Sequence, residues 1–270
     1  MWTRWRMAAA GTAASIVVAF AGAPTAAAQA AKQHIALGDR EYAEREAQTS
    51  LDEYRLALSI EPKNYEALCK ASRTAIDLAE GLDRGPQHDS LQAEAQRDAE
   101  AAVAVRPHDA DGHFALARAL GRKALSLGTM DRIRYAKRIR LEALEALKYD
   151  SLHAGALHVL GSWNAEVMRV NGLERAFAKR FLGAEVFNTA SWAEAQRLME
   201  KAVKLDPDRL VHHLDLGAIY ADRGNKAKAR EQFAFILAAP LREYNDPMYK
   251  RKAAADLKKL GPDKATTTRP

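Results

Sequence analysis
The sequence predicts an all-α protein folded as a solenoid of helical hairpins. Composition is the first sign. Alanine is abundant, aromatic residues make up only 7%, and valine and isoleucine are sparse, a balance that favours helix over sheet. The second sign is that no stretch alternates β-branched and polar residues between turn signals, as a strand would. The third is a unit that recurs along the chain, because self-similarity at a fixed spacing marks a repeat array. With 270 residues, 48% of them hydrophobic, the chain is long enough to bury a sizeable core.

The first thirty residues stand apart from that array. Met1–Arg6 carries Arg4 and Arg6 and no acid, Met7–Ala23 is apolar and small, and Ala28-Gln29-Ala30 forms a small-x-small cleavage signal. These are the parts of a bacterial secretory signal peptide over 1–30, cut after Ala30, with Ala28 as the alternative. An uncleaved anchor is the competing reading, although the apolar run falls short of the roughly 20 residues a span needs and contains Thr12 and Ser15. Neither cut is followed by cysteine, so no lipid anchor is expected. The expected location is the periplasm or the cell exterior. Formal charge is +6, two of the basic residues lie in the exported segment, and so modest an excess does not point to nucleic acid. One cysteine, Cys69, leaves no intrachain disulfide. It reads as a small apolar filler, with a reactive thiol as the lesser alternative.

The repeat occupies 31–260. Four segments share an alanine, a proline or its substitute five residues later, and then a fresh helix start: ALSIEPKNYEAL from Ala57, AVAVRPHDADGHFAL from Ala102, ALKYDSLHAGALHVLG from Ala146 and AVKLDPDRLVHHLDLG from Ala202. Pro62, Pro107, Ser151 and Pro207 each close a helix, because proline costs a helix one backbone hydrogen bond. Asn64, Asp109 and Asp208 are placed to cap the next one. A last helix, Pro247–Leu260, begins at Asp246-Pro247 and stops at Gly261-Pro262. Its five basic residues suit a terminal cap. The tail, 261–270, is expected to be disordered.

Counted from Leu210, the fifth unit has Leu216-Gly217 at places 7 and 8, Tyr220 at 11, Ala229 at 20 and Phe233 at 24. It thereby resembles the tetratricopeptide repeat, in which small residues let two antiparallel helices approach and large ones fill the space beside them. Leu160-Gly161 with Ala195, Ala71-Ser72 with Ala95, and Leu116-Ala117 with Ala146 repeat the pattern. Counted from Ala31, the first unit puts Leu37-Gly38, Tyr54, Ala57 and Pro62 in the same register; Gly38 as the turn between its helices is the alternative. The spacings Pro62–Pro107, Pro107–Ser151 and Ser151–Pro207 are 45, 44 and 56 residues, longer than one repeat. The extra residues are expected between paired helices, at Gly81–Ser90, around Leu125–Arg134 and at Val170–Ala190.

Three strings carry a closer resemblance, covering Asn64 to Leu260. They are Leu68-Cys69-Lys70-Ala71-Ser72-Arg73, then Ala156-Leu157-His158-Val159-Leu160-Gly161-Ser162-Trp163, then Ala190-Ser191-Trp192-Ala193-Glu194-Ala195 leading to Leu205-Asp206-Pro207. They resemble the regulator of microtubule dynamics family and its bacterial repeat relatives. Cys69 stands where the family has tryptophan, and Ser162 where it has arginine. The resemblance implies a helical repeat fold and protein association; the microtubule role of animal members is not carried to an exported chain.

In such arrays the first helix of each unit lines the inner face. Places 5, 9 and 12–13 give Cys69, Arg73 and Asp77, then Phe114, Arg118 and Arg122, then His158, Ser162 and Glu166. Arg73 and Arg118 hold the same place in adjacent units, so they are expected either to clamp a carboxylate of an acidic peptide or to pair with internal acids such as Asp77 and Glu166. Arg132, Arg134, Lys137, Arg138 and Arg140 form a basic run that reads as a solvated helix face with Ile133 and Ile139 inward, or as a surface for anionic lipid. The insertion Leu173–Phe187 carries Phe177 and Phe181, which either cover the stack beside Trp163 or meet a membrane or partner. Ser191-Trp192-Ala193-Glu194 reads as a capping box. No histidine pair has zinc-ligand spacing, and no phosphate loop, nucleophile elbow or acid–base set is present, so neither cofactor nor metal is expected. The sequence therefore points to a non-catalytic protein- or peptide-binding scaffold. An envelope protein seated on anionic membrane is the rival, and a thiol enzyme using Cys69 a distant third.

Overall fold
A computed structural model describes residues 26–172 and 185–261. Every regular element among them is helical. Five hairpins follow one another: α1 (Ala26–Ala43) with α2 (Ala47–Ile60), α3 (Tyr65–Glu80) with α4 (Pro86–Val105), α5 (Ala110–Leu125) with α6 (Thr129–Tyr149), α7 (Ala154–Arg169) with α8 (Trp192–Leu205), and α9 (Leu210–Asp222) with α10 (Lys226–Ala238). A short 3-10 turn, Glu185–Thr189, precedes α8, and α11 (Asp246–Leu260) packs on α9 and α10. First helices also contact one another in series, α1 on α3 and so on to α7 on α9, and share one face. The all-α hairpin solenoid expected from the sequence is the fold observed. Of the expected export segment 1–30, residues 26–30 form the start of α1, while residues 1–25, the insertion 173–184 with Phe177 and Phe181, and the tail after Gly261 lie outside the described residues.

The four repeated alanines explain the punctuation. Ala57, Ala102, Ala146 and Ala202 are fully buried. Each carbonyl accepts the last helical hydrogen bond of its helix, from Glu61, Arg106, Asp150 and Asp206 respectively, at 2.9–3.0 Å. The chain then leaves the helix just before the proline, where the residue preceding a proline disfavours helical dihedrals.

Gly38 lies inside α1 and is not a turn. A Cβ there would sit 2.5 Å from the ring of Tyr54, and one at Gly217 would sit 2.5 Å from the ring of Phe233. The two glycines hold one place in the first and fifth units and their rings another, so the same packing joint is built twice. Both rings are fully buried, a burial that contributes roughly 1.5–3 kcal/mol each. The inter-helix turns of these units match as well: Arg45 (φ 67°) and Gly224 (φ 76°) hold the same place in left-handed conformation. In the fourth unit a Cβ on Gly161 would lie 3.3 Å from the Ala195 carbonyl oxygen. In the second, Ser72 takes the glycine place and its hydroxyl donates to the Ala95 carbonyl at 2.8 Å.

Four expectations need correction. The extra length of the second and third units is mostly helix, not loop. Only Gly81–Gly85 separates α3 from α4 and only Ser126–Gly128 separates α5 from α6; Pro86 takes the first turn of α4, where its missing N–H has no helical partner to lose. Asn64 and Asp109 do cap α3 and α5, accepting from Ala67 and Asp111 amides, both at 3.1 Å. Asp208 does not cap α9; the preceding residue there is Arg209, with no side-chain cap bond, and Asp208 pairs with Arg242 at 2.9 Å. Asp246 begins α11 instead of capping it, and its carboxylate accepts from the amides of Arg242 and Glu243 at 2.6 and 2.7 Å. Ser191 forms half of its box by accepting from the Glu194 amide at 3.1 Å, while Glu194 turns to Arg197.

Glycine-to-alanine substitution separates packing glycines from permissive ones. Gly217→Ala is expected to cost about 1–3 kcal/mol by overpacking against Phe233. Gly121→Ala in α5, where a Cβ meets nothing within 4 Å, is expected to stabilise by about 0.4–1 kcal/mol. Urea denaturation followed by circular dichroism measures both.

Candidate functional site
The inner face is knotted together around one carboxylate. Asp77, near the end of α3, is 5% exposed. Its Oδ1 accepts from the Arg118 guanidinium at 2.6 Å and its Oδ2 from the Tyr42 hydroxyl at 2.7 Å. Its backbone carbonyl accepts from the Asn245 amide at 3.0 Å. Arg73 lies over the Tyr42 ring, 3.8 Å from its centroid. Burial alone would raise the Asp77 carboxyl, but Arg118, the Tyr42 hydrogen bond and Arg73 outweigh it and hold the group below the usual carboxylate range. The two arginines that the repeat register aligned thus attend a carboxylate, but it is the chain's own. Of the two readings of these arginines, the pairing with an internal acid is the one seen here: Arg118 is paired with Asp77, and Arg73 stacks on Tyr42.

One helical turn further on, Glu80 pairs with Arg122 at 2.8 Å and accepts from the Tyr249 hydroxyl at 3.1 Å. Asn245 and Tyr249 are both buried. They carry the segment around the start of α11 across the inner face to α3, and so close the groove at that end. Among the described residues the inner face is occluded there by the C-terminal segment.

Beyond this closure lies a cavity of about 590 Å³ between α5, α7, α9 and α11. Of the residues expected on the inner face, Phe114, Arg118, Arg122, His158, Ser162 and Glu166 line it; Arg73, Asp77 and Cys69 do not. Arg132 of the basic run also reaches it. Its charged lining comprises Arg118, Arg122, Arg132, Arg169, Arg209 and Lys252 against Glu166, Asp215 and Glu243. Several are paired: Arg169 with Asp222 at 2.5 Å and Glu166 at 2.7 Å, and Arg209 with Glu243 at 3.3 Å. Apolar walls come from Val159, Trp163, Val211, Ile219 and Phe187. Phe187, at the end of the insertion, is buried and its ring lies 6.2 Å from that of Trp163.

The polar floor of the cavity is formed by His158, His212 and Asp215. Asp215 Oδ2 lies 3.2 Å from His158 Nε2 and accepts from Ser162 Oγ at 3.1 Å. Burial would raise its carboxyl, but His158, Arg122 and Lys252 keep it well below the usual range. An ionised carboxylate only accepts, so His158 Nε2 carries a proton toward it. The His212 ring, 2% exposed, leans on His158 with centroids 4.8 Å apart, and burial drives its pKa down to about 2, so it is neutral. Three buried atoms here have no hydrogen-bond partner in the protein: Arg118 Nη1, His158 Nδ1 and His212 Nδ1. Sequence reasoning missed His212, Asp215 and Arg209. The inward places of the fifth unit are Leu214, Ala218 and Asp222, of which only Ala218 lines the cavity. Glu243, Tyr249 and Lys252 arrive from a segment that carried no such signal.

The remaining candidates have other roles. On α6, Ile133, Ala136 and Ile139 are buried, Arg134 pairs with Asp131 at 3.0 Å, Arg138 with Glu100 at 3.3 Å, and Arg140 lies 5.6 Å from the Trp163 ring centroid. Lys137 is exposed. This is the solvated face whose apolar side turns inward. Burial pushes the Cys69 thiol up to about 12, which keeps it protonated and a poor nucleophile. Among the described residues no group of three His, Cys, Asp or Glu side chains is arranged to hold a metal ion, and no helix is long and apolar enough to cross a membrane.

Asp77→Asn is expected to destabilise the protein by roughly 3–5 kcal/mol, because it leaves Arg118 buried without its counter-ion. The native Asp77 pKa lies below its unfolded value, so its contribution is present above about pH 4 and is lost as pH falls through the folded value. Urea midpoints at a series of pH values are expected to fall less steeply below about pH 5 for Asp77→Asn than for the wild type.

The sequence profile of Regulator of microtubule dynamics protein 1-3 matches residues 30–261. No curated protein sequence matches the chain. Among solved structures, a thermophilic TPR protein of Thermus thermophilus superposes with a TM-score of 0.61 at 19% identity, over 84% of this chain and 100% of that one. The Pseudomonas aeruginosa pilF protein reaches 0.47 at 15% identity, over 87% and 94%. The first of these shows the shared tetratricopeptide-type fold. With its profile matched over nearly the whole array, the chain belongs to the regulator of microtubule dynamics protein 1-3 family.

Proposed function
We propose that the protein is a non-catalytic, extracytoplasmic scaffold that binds a protein or peptide partner, acidic where it makes contact, at the cavity between α5, α7 and α9. The observation that carries this reading is the cavity itself. It lies on the face lined by first helices and is open to a partner; of its six cationic side chains Arg118, Arg122, Arg169 and Arg209 are paired within the chain, and Arg132 and Lys252 are exposed. The two exposed cations favour an acidic surface by steering encounter and penalising like-charged partners. Export is supported by the basic, apolar and small-residue order of the first thirty residues. The absence of chemistry is supported by the protonated Cys69 thiol and the neutral His212, neither of which is set against a substrate-activating partner. Microtubules are cytoplasmic, so the role in the family's name is not part of this proposal.

The test is affinity capture from envelope extract with the processed chain as bait, comparing wild type with Arg132→Glu/Lys252→Glu. Both residues are exposed at the cavity rim. The expected result is a partner held by the wild type and lost, or weakened at least about tenfold, on charge reversal. Equal capture by both would move the interface to the second helices. Peptide mapping of the protein recovered from the periplasm is expected to find Ala31 as its N-terminus; an intact Met1 in the cytoplasmic fraction would sink the proposed location.

A further inference from the structure
Charge is unevenly spread along the chain. The stretch from Lys226 to Leu260, which makes up α10 and α11, holds nine basic residues and four acidic ones, in a chain whose whole formal excess is +6. Three of those acids are engaged within the fold: Asp246 by the amides of Arg242 and Glu243, Glu243 by Arg209, and Asp256 by Lys259 at 2.7 Å. What α11 turns to solvent is therefore cationic. Its exposed residues are Arg251, Lys252, Ala254, Ala255, Lys258 and Lys259, while Tyr249 and Ala253 are buried. Arg251, Ala255 and Lys258 follow one another at four and three residues and so share one face. Among the described residues no carboxylate pairs with Arg251 or Lys258. Beside the first turns of α11, the end of α10 and the link after it expose Leu237 and Leu241, at 39% and 42%. Lys250 fastens this link to α11, donating to the carbonyls of Leu237 at 3.0 Å and of Ala239.

We propose that this C-terminal cap rests on an anionic lipid bilayer, with α11 lying along the surface and Leu237 and Leu241 entering it. Phosphate-bearing headgroups are held by Arg251, Lys252, Lys258 and Lys259. The two leucines reach the boundary between headgroups and acyl chains. An acidic protein would place its carboxylates at fixed points, a task suited to the rigid fork of arginine. Three of the four cations here are lysines, compact charges on flexible stems, which suit a surface whose own charges are mobile. Exposed leucines beside such a run add an apolar contact that charge alone does not supply. Neither signal is strong by itself; together they give a reversible, salt-sensitive attachment. Tyr249, on the buried side of α11, donates to Glu80 on α3, so the attached face belongs to the closed array. It is a different surface from the cavity, and the inference does not rest on the scaffold reading.

The test is co-sedimentation of the processed chain with vesicles of phosphatidylglycerol and phosphatidylcholine in equal parts, and with vesicles of phosphatidylcholine alone. Starting the chain at Ala31 keeps the apolar leader from carrying it to lipid. Binding to the anionic vesicles is expected at about 50 mM salt and to weaken at least about tenfold at about 500 mM, with none to phosphatidylcholine. Arg251→Glu/Lys258→Glu is expected to lower the affinity at least about tenfold, and Leu237→Ser/Leu241→Ser severalfold. Lys252 is left in place because it also lines the cavity. All four substituted positions are exposed, so both double variants are expected to melt with the wild type by circular dichroism. Arg132→Glu, at the cavity rim, is expected to bind vesicles as the wild type does. No binding to anionic vesicles, equal binding to phosphatidylcholine, or unchanged binding by either folded double variant would each overturn the proposal. Binding of poly-glutamate without binding of vesicles would assign the face to an acidic protein and overturn it as well. Capture of the envelope partner is a separate readout, so either reading can fail while the other stands.

Discussion
A carboxylate taken out of water must be paired, and Asp77 is where this chain meets that requirement. Its partners come from four places in the sequence: Tyr42 in α1, Arg118 in α5, Arg73 beside it in α3, and Asn245 ahead of α11. None of these elements can move away without leaving a charge or a donor buried and unpaired. Solenoids are ordinarily held by contacts between adjacent units alone, so their ends are independent. Here the second unit is tied directly to the C-terminal segment, which makes the array behave as one closed body.

Closure has a consequence for binding. An open inner face offers a long track along which an extended peptide can run. In this chain Asn245 and Tyr249 occupy the track over α3, and the remaining space is a chamber between the third, fourth and fifth units. Its charged groups are largely committed to acids within the chain, Arg118 to Asp77, Arg122 to Glu80, Arg169 to Asp222 and Arg209 to Glu243. Chambers of this size, apolar with a few convergent polar groups, suit a discrete group better than a long segment.

The packing that supports this arrangement is made from small residues. Glycine or serine in a first helix faces alanine or an aromatic ring in the second, as Gly38 faces Tyr54, Ser72 faces Ala95, Gly161 faces Ala195 and Gly217 faces Phe233. Close approach at these points allows the middle units to lengthen their helices without losing register. The third and longest spacing also contributes Phe187, which covers Trp163, whose indole N–H donates to the Ala136 carbonyl at 2.8 Å. The corner of the chamber formed by α6, α7 and the insertion is in this way fixed from behind.

Much of the fold was legible in the sequence, because what specifies a hairpin is local. A buried alanine, a proline two residues past the helix end, a cap such as Asn64 or Asp109 and a glycine opposite a ring act within about one repeat. Loop lengths were less legible, since Pro86 reads equally as a breaker or as the first residue of a helix. The candidate site was half legible. Phe114, Arg118, Arg122, His158 and Glu166 follow from their places in the first helices, and Arg118 was legible as a charge with two readings, a clamp for a ligand or a pair with an acid such as Asp77, between which the sequence alone did not choose. By itself, then, the sequence determined the helical array and which helix faces inward, because those depend on short-range packing and capping. Only the tertiary structure decided that Arg73 and Arg118 serve an internal carboxylate and that the segment from Glu243 to Lys252 walls the chamber. Those contacts join residues far apart in the chain, such as Asp77 and Asn245, and depend on the summed rotation of every unit between them, which no local pattern encodes.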